Sequence, residues 1–406
     1  MTDQTFSASR WARALRWMGA VGIAALLAAC GGGGGGGSAD GTLRVALTDA
    51  SCLYDHVFVT VEKVGVHKSG TAADDDAGWS EIIISPPKQI DLRTLTNGVL
   101  EELGTTTLSA GQYSQVRLVL ASNSGTGTTS LANSVQPAGG TLTALATPSG
   151  QQSGLKVQAH FDVAAGQTTD LVLDFDACKS VVKAGNSGRY ILKPVLTLVP
   201  PEGSGVQGFV STALPLSSTT VAAQQDGVTI RSTVPDSAGK FSIPFLPVGT
   251  YTLVITADGR ATGVITGVPA VTATMVINGT TTAIALPVSS MADVTGTVSV
   301  TSVSGSSTVS TALTDATVRA LQPLTGGPTI EVASQPVDAV LGTYGLRLPV
   351  GAPVKAAYGA VLTFVPDATA AGKYTIQVQA PGRANLEAPA DISAGASVGV
   401  NFAYGP

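Results

Sequence analysis

Charge is scarce in this chain of 406 residues: Asp, Glu, Lys and Arg together make up 12% of it, about half the share in an average soluble domain. The few charges lean acidic, 27 against 22 basic, for a net charge of −5. A lysine-poor, acidic surface lacks the electrostatic footprint that nucleic acid requires, which excludes that class of partner. Aromatic residues are 5% of the chain and only three are tryptophan. That argues against a broad platform of stacking rings. Three histidines and three cysteines leave few candidate bases or soft metal ligands, and no cysteine has a Cys-x-x-Cys neighbour. After residue 30 no apolar run approaches the roughly 20 residues that a membrane-spanning helix needs, so the body reads as soluble. Thr, Ser, Gly, Val and Ala fill the space that charge leaves. Glycine alone contributes 48 residues. Such a composition suits turn-rich extracellular β-sandwiches, not a helical cytosolic enzyme.

The amino end is built differently. Arg10, Arg13 and Arg16 give residues 1–29 a positive start, Met18–Ala29 is a short apolar run, and Ala28 and Ala29 are small residues before Cys30. These are the three parts of an export signal. The run is too short to span a bilayer. With the cysteine directly after the small pair, residues 27–30 resemble a bacterial lipoprotein signal. That resemblance implies cleavage before Cys30, acylation of Cys30 (palmitate among the chains) and anchoring in a membrane. A multiply acylated cysteine buries enough CH₂ groups, at about 0.8 kcal/mol each, for stable anchoring. Gly31–Gly37 follow at once, so residues 30–40 read as a flexible tether. Glycine rather than aspartate after the cysteine fits sorting to the outer membrane, facing the periplasm or the surface. Cleavage would leave 19 basic and 26 acidic residues, a net charge near −7. In an oxidising compartment the two remaining cysteines, Cys52 and Cys178, are expected to pair. Closing so long a loop would stabilise the fold by roughly 4–5 kcal/mol in the chain-entropy description.

Residues 41–202 alternate as strands. Gly41–Asp49, His56–His67, Trp79–Ile84, Gly111–Leu120, Leu155–Val163, Thr169–Phe175 and Tyr190–Val199 show the period of two, with Val57, Val59 and Val61 on one face and Phe58, Thr60 and Glu62 on the other. Asn97-Gly98 is a turn signal between Ile90–Leu95 and Val99–Leu103. Pro194 suits an edge or a bulge in the last strand. The expected domain is an antiparallel β-sandwich. Four stretches in this order, Leu43–Ala50, Tyr54–Val64, Asp91–Gly98 and Leu108–Leu118, resemble domain of unknown function 4382. Asp174–Lys179 and Gly188–Pro194 look like its closing segment. That family sits at the front of bacterial lipoproteins, and the resemblance brings no activity or catalytic residue.

Beyond a linker at Glu202–Gly205 the chain repeats itself. Gly249–Ala261 aligns with Gly372–Ala384, and Val206–Ser211 parallels Val294–Ser299. The two starts are 88 residues apart and the two ends 123, so the second copy carries insertions, one of them around Gly342–Lys373. Asp236–Ile243 followed by Leu246–Leu253 carries the phrase Asp-x-x-Gly then Leu-Pro-x-Gly-x-Tyr. It resembles the carboxypeptidase regulatory-like domain, a transthyretin-type sandwich used as a spacer or binding module. Gly342–Gly351 matches it in part. Residues 203–290 are therefore expected to form one sandwich and residues 291–406 a second, more divergent one, the whole chain being all-β with tandem Ig-like or transthyretin-like domains. The short Gly- and Pro-bearing junctions leave room for hinge motion between domains.

Candidate sites are few. His56, His67 and His160 lie at strand ends, and no Gly-x-Ser-x-Gly elbow accompanies them. Gly185–Gly188 reads as a turn. Asp74, Asp75 and Asp76 lack the alternating ligands and distal Glu of a calcium loop, and Asp170, Asp174 and Asp176, with Asp162 near, read as surface carboxylates. No catalytic, metal or cofactor site is assigned. Trp79 with Tyr113 is the one aromatic pair that could face a ligand, and the loops Lys68–Gly78 and Ser122–Ala138 are the expected contact surface. The reading is an anchored envelope lipoprotein, not an enzyme, with a binding, adhesion or structural role and a polysaccharide or envelope protein as partner. The alternatives are a carbohydrate-binding accessory module and a hydrolase with its site in the first domain.

Overall fold

The computed structural model describes residues 40–50, 54–123, 131–199, 204–279, 282–304 and 307–405. Strands dominate the described residues, arranged around three apolar clusters. The first is built from Leu43 to Leu192, the second from Val206 to Leu286 together with Val354, and the third from Ala292 to Tyr404. A smaller fourth cluster joins Val254 and Val264 to Leu324, Ile330 and Ala370. It is an apolar weld between the second and third domains.

In the first domain Val57, Val59 and Val61 are fully buried, as alternation requires. Val64 and Val66 are buried as well, which is out of phase by one residue. The strand Tyr54–His67 absorbs the slip with a bulge: Val61 pairs with Leu120 and Lys63 with Val119, leaving Glu62 as the extra residue. Ile90–Leu95 is not one strand, because Leu92–Leu95 closes into a 3-10 turn capped by the Asp91 side chain. Tyr190–Val199 likewise divides. Arg189–Leu192 pairs with Val181–Ala184, while Leu196–Val199 pairs with the opposite sheet. Pro194 stands where the chain crosses from one sheet to the other, not within a strand. The sheets are mixed: Asp40–Ala50 runs antiparallel to Glu101–Ser109 but parallel to Thr168–Asp176.

The phrase Gly-x-Tyr has a physical meaning. Tyr251 is buried and its hydroxyl donates to the carbonyl of Pro247, four residues upstream, at 2.7 Å. Tyr113 does the same to Ser109 at 3.1 Å. Tyr374 is held by Pro349 O at 2.6 Å and Tyr344 by Val400 O at 2.6 Å. Each glycine opens a strand or stands directly before one, and the tyrosine two residues on drops into the core with its one polar atom satisfied. This tie recurs in all three domains.

The insertion in the second copy does not stay with its own domain. Val354–Ala357 pairs in parallel with Gly263–Ala270, and Val365–Pro366 pairs back on Val354–Lys355. Val354 joins the core of the second domain, with Tyr358, Leu362 and Phe364 packed against it. The third domain thus donates a hairpin that covers what would otherwise be an open sheet edge. Asp367 pins its return: its carboxylate accepts from Thr325 N and Oγ1 at 2.7 and 2.9 Å and pairs with Lys355 at 3.1 Å.

The first domain is docked as firmly. Asn97 and Gly98 both have positive φ, 59° and 82°, and the turn they make reaches into the second domain. Asn97 N donates to Thr233 Oγ1 at 3.0 Å, its amide nitrogen donates to Val234 O at 2.8 Å, and its amide oxygen accepts from Ser242 N at 2.8 Å. Beside it a Cβ on Gly98 would fall 2.6 Å from Pro244 Cγ. Toward the third domain, Gly185 N donates to both oxygens of Asp338 at 2.9 Å and Ala339 N donates to Lys183 O at 2.9 Å. Three faces therefore interlock, and Ser38–Pro406 packs as one unit. Freely hinged beads are not what these junctions make. Replacing Asn97 with Ala keeps the backbone bond to Thr233 but strips Val234 O and Ser242 N of their side-chain partner, and is expected to cost about 1–3 kcal/mol, read as a lower urea midpoint with an unchanged m-value.

Candidate functional site: the cleft where three domains meet

Asp174 was expected on the surface, and the structure corrects this. It is 6% exposed, because the second domain seals over it and brings Arg231 to 3.2 Å from its Oδ2. The pair is close enough for an ion pair but poorly aligned, and Asp174 Oδ1 has no hydrogen-bond partner among the described residues. Burial pushes its carboxyl up to about 6, with Arg231 opposing and Asp176 reinforcing the rise. Asp49 is buried nearby on the first strand. Its carboxyl is pushed well above the ordinary range by burial, partly offset by a hydrogen bond from Ala177 N and reinforced by Asp176 and Asp174. Asp176 is spent on structure: Oδ1 caps the short helix Ala177–Ser180 by accepting from Lys179 N at 3.0 Å, and Oδ2 pairs with Lys179 at 2.8 Å. Asp170 pairs with Arg44 at 2.6 Å, and Asp162 is exposed.

The helix carries Cys178, half-buried against the first core. Cys52 and Cys30 lie outside the described residues. Ala50 and Asp176 are the last partners in the parallel register, and Cys52 and Cys178 each stand two residues beyond them in sequence.

Around this helix the three domains leave a cleft. One compartment of about 480 Å³ is lined by Tyr54, Cys178, Lys183, Asp338 and Tyr344 with Ser334–Pro336. A second, about 330 Å³, lies between Asp176–Lys179, the sheet face carrying Ala222 and Thr256, and Glu331–Gln335. A third, about 360 Å³, adds Asp258, Arg260 and Arg347. These volumes fall in the range of small-molecule sites. Charges at the walls are largely paired: Arg347 with Asp258 at 2.9 Å, and Asp338 with three backbone N–H groups. Burial works to raise the Asp338 carboxyl, but the N–H groups of Leu341, Val340 and Gly185 outweigh it and hold it below its ordinary value.

The aromatic pair expected to face a ligand is not a platform. Tyr113 is 3% exposed and stacked on Phe161 at 5.5 Å. Trp79 is half-buried, with the Arg117 guanidinium 4.0 Å over its ring, His67 at 5.2 Å and its indole N–H donated to Ala73 O. Arg117 in turn donates to Glu81 at 2.7 Å and Asp74 O at 2.9 Å. Burial works to raise the Glu81 carboxyl, but Lys63 and Arg117 outweigh it and lower it. The loop Lys68–Gly78 is folded down over this group rather than standing free. Lys156 holds Asp74 at 2.5 Å, and Gln158 donates to Gly70 O at 2.7 Å. Asp76 accepts from Ala73 N. In the other expected contact loop, residues 124–130 lie outside the described residues. Its base is pinned by Asn123 and the fully buried Asn133, which reach Ala121 O, Leu145 O and Thr60 N.

The histidines stand apart. His56 Nδ1 sits 2.6 Å from Asp91 with its ring on Phe58, His67 Nδ1 accepts from Ser69 N at 2.9 Å, and His160 is exposed. His56 and Asp91 make the base and orienting acid of a triad, but no serine hydroxyl reaches that imidazole among the described residues. There too no group of three His, Cys, Asp or Glu stands close enough to hold a metal ion.

Comparison with known families fits this layout. Residues 40–194 match a domain of unknown function, DUF4382. Residues 205–284 match the carboxypeptidase regulatory-like domain. The residues that wall the cleft therefore come from both matched segments and from the third domain. Among solved structures the chain is similar to the Bacillus anthracis TIE protein, at 13% identity over 91% of this chain and 51% of that one, with a TM-score of 0.17. It is also similar to GBS52, the minor pilin of Streptococcus agalactiae, at 11% identity over 52% of this chain and 85% of that one, with a TM-score of 0.16. For BcpA*(D312A), the major pilin subunit of Bacillus cereus, the values are 10%, 90%, 99% and 0.16. The chain spans about half the length of the TIE protein, and scores this low carry no argument. Comparison with curated proteins gives no match.

Asp174 makes stability depend on pH. Its carboxyl is raised in the folded chain, so its contribution is fully present below the ordinary value near 3.8 and is lost as pH rises through about 6. The expected loss is roughly 1–3 kcal/mol between pH 4 and 7. Asp174→Asn should flatten that part of the profile, measured by thermal melts across the range.

Proposed function

We propose that this protein is a membrane-anchored lipoprotein of the cell envelope whose interlocked sandwich domains form a rigid, non-catalytic binding body. The observation that carries this reading is the three-domain cleft, assembled from residues of every domain. A spacer has no need of such a junction. A hydrolase would lack its nucleophile here: Asp174 faces Arg231, and among the described residues no serine hydroxyl reaches the His56–Asp91 pair. Buried Tyr113 and the Arg117-covered face of Trp79 do not favour the carbohydrate-module alternative.

Anchoring rests on the sequence around Cys30, and the outer membrane on Gly31. Cys30→Ser should move the chain from the membrane pellet to the soluble fraction. A chain that stays sedimentable after the substitution overturns the lipid anchor. Protease shaving of intact cells then separates a surface-facing array, which loses its signal, from a periplasmic one, which is protected until the outer membrane is opened.

The Cys52–Cys178 pairing is part of the same reading, supported by their being the two cysteines left after cleavage before Cys30 in an oxidising compartment. Non-reducing peptide mapping should recover the two cysteines linked. Cys178→Ser is expected to lower stability by roughly 2–5 kcal/mol.

A further inference from the structure

The strand Thr329–Pro336 is the edge of its four-stranded sheet, followed inward by Thr317–Pro323, Lys373–Gln379 and Leu386–Asp391. An edge strand presents a row of backbone N–H and C=O groups that must find partners, and natural proteins cover or blunt them. Here one position on that edge is covered in an informative way. Gln224 of the second domain, 2% exposed, accepts from Glu331 N through Oε1 at 2.9 Å and donates through Nε2 to Glu331 O at 2.7 Å. A side-chain amide thus stands where the peptide group of a neighbouring strand would stand. Beyond Glu331 the cover stops. Val332–Pro336 are half-buried, and they line the cleft compartments of about 330 and 480 Å³. Among the described residues no hydrogen bond from outside their own sheet reaches Val332, Ala333, Ser334 or Gln335. The facing wall is rich in small residues, with Ala222, Thr220 and Gly345, which leaves width for a backbone rather than for a bulky ring. Tyr54 and the exposed Lys183 stand at the far end.

We propose that this cleft takes an extended peptide segment, which adds as a strand to the open edge at Ala333–Gln335, past the bulge at Val332, and resumes there the amide pairing that Gln224 makes at Glu331. Main-chain hydrogen bonds supply the affinity, and the alternate side chains of the guest meet the two walls. The proposal deepens the binding role inferred above and names its ligand class. It is independent of the lipid anchor, because it is tested on the full chain in detergent.

The probe is a displayed library of short random peptides, panned against the full chain, with enriched sequences resynthesised. Two variants read the site. Ser334→Pro removes a donor and distorts the edge. Gly345→Trp fills the cleft from the opposite strand, where a Cβ meets nothing closer than Thr295 Cγ2 at 3.6 Å; it leaves the Thr329–Pro336 ladder untouched, so it serves if the proline variant misfolds. The expected result is enriched peptides that lose affinity at least about tenfold on Gly345→Trp. N-methylation of every second guest residue should abolish binding while methylation of the intervening ones leaves it, the period-two signature of a strand paired along one edge. Bound peptide should also slow hydrogen exchange at Ala333–Gln335. No enrichment, binding to both variants as tight as to the unsubstituted chain, or N-methyl effects without alternation overturns the proposal. So does binding of a neutral oligosaccharide that Gly345→Trp abolishes while no peptide binds.

Discussion

Glu331 joins the second and third domains in two ways at once. Its backbone exchanges both hydrogen bonds with the Gln224 amide, and its carboxylate meets Thr229 of the second domain and Arg319 of its own. Arg319 reaches on to Gly227 O across the junction and to Gln377 beneath it. Apart from the half-buried Thr229 this network is buried, so a partner lost within it leaves a polar group with neither water nor a substitute. The domains are held in one register because few other arrangements satisfy so many donors together. The cleft, the welded apolar patch and the donated hairpin all presuppose that register.

Polar contacts fix the arrangement, while apolar burial supplies the cohesion. The cluster of Val254, Val264, Leu324, Ile330 and Ala370 belongs to neither domain alone. On the other side the turn at Asn97 works as a plug: its own backbone and amide are fully engaged by the second domain, and the positive φ of its two residues makes room for that approach. A buried Asp–Arg pair alongside is a weaker device. Asp174 is raised toward neutrality by its surroundings, so the contact with Arg231 contributes registry more than cohesion.

Much of the architecture was legible in the chain because strand alternation is a local property. Val57, Val59 and Val61 announce a buried face, and the out-of-phase Val64 and Val66 hold the information for a bulge that a simple alternation count passes over. Gly-x-Tyr at four places marked strand starts, and its hydroxyl tie explains why tyrosine rather than phenylalanine stands there. Pro194 was a sound signal placed in the wrong element: a break between sheets and an irregularity within one strand look alike in sequence. The cleft was not legible. Asp174 alternates like a surface carboxylate because the residue that buries it, Arg231, is 57 positions away in another domain. Trp79 and Tyr113 read as exposed aromatics for a related reason: Arg117 and Phe161, distant in sequence within the same domain, cover them only in three dimensions. Val354–Ala357 carries no mark of belonging to a neighbour's sheet.

The donated hairpin sets the unit of heredity. Cut at residue 290, the second domain would lose Val354 from its core and stand with Gly263–Ala270 as a bare edge, while the third would trail an unmatched strand. Recombination that shuffles sandwich modules one at a time would break both products. The last two domains therefore stand or fall as a pair, whereas among the described residues the first lends no strand to either.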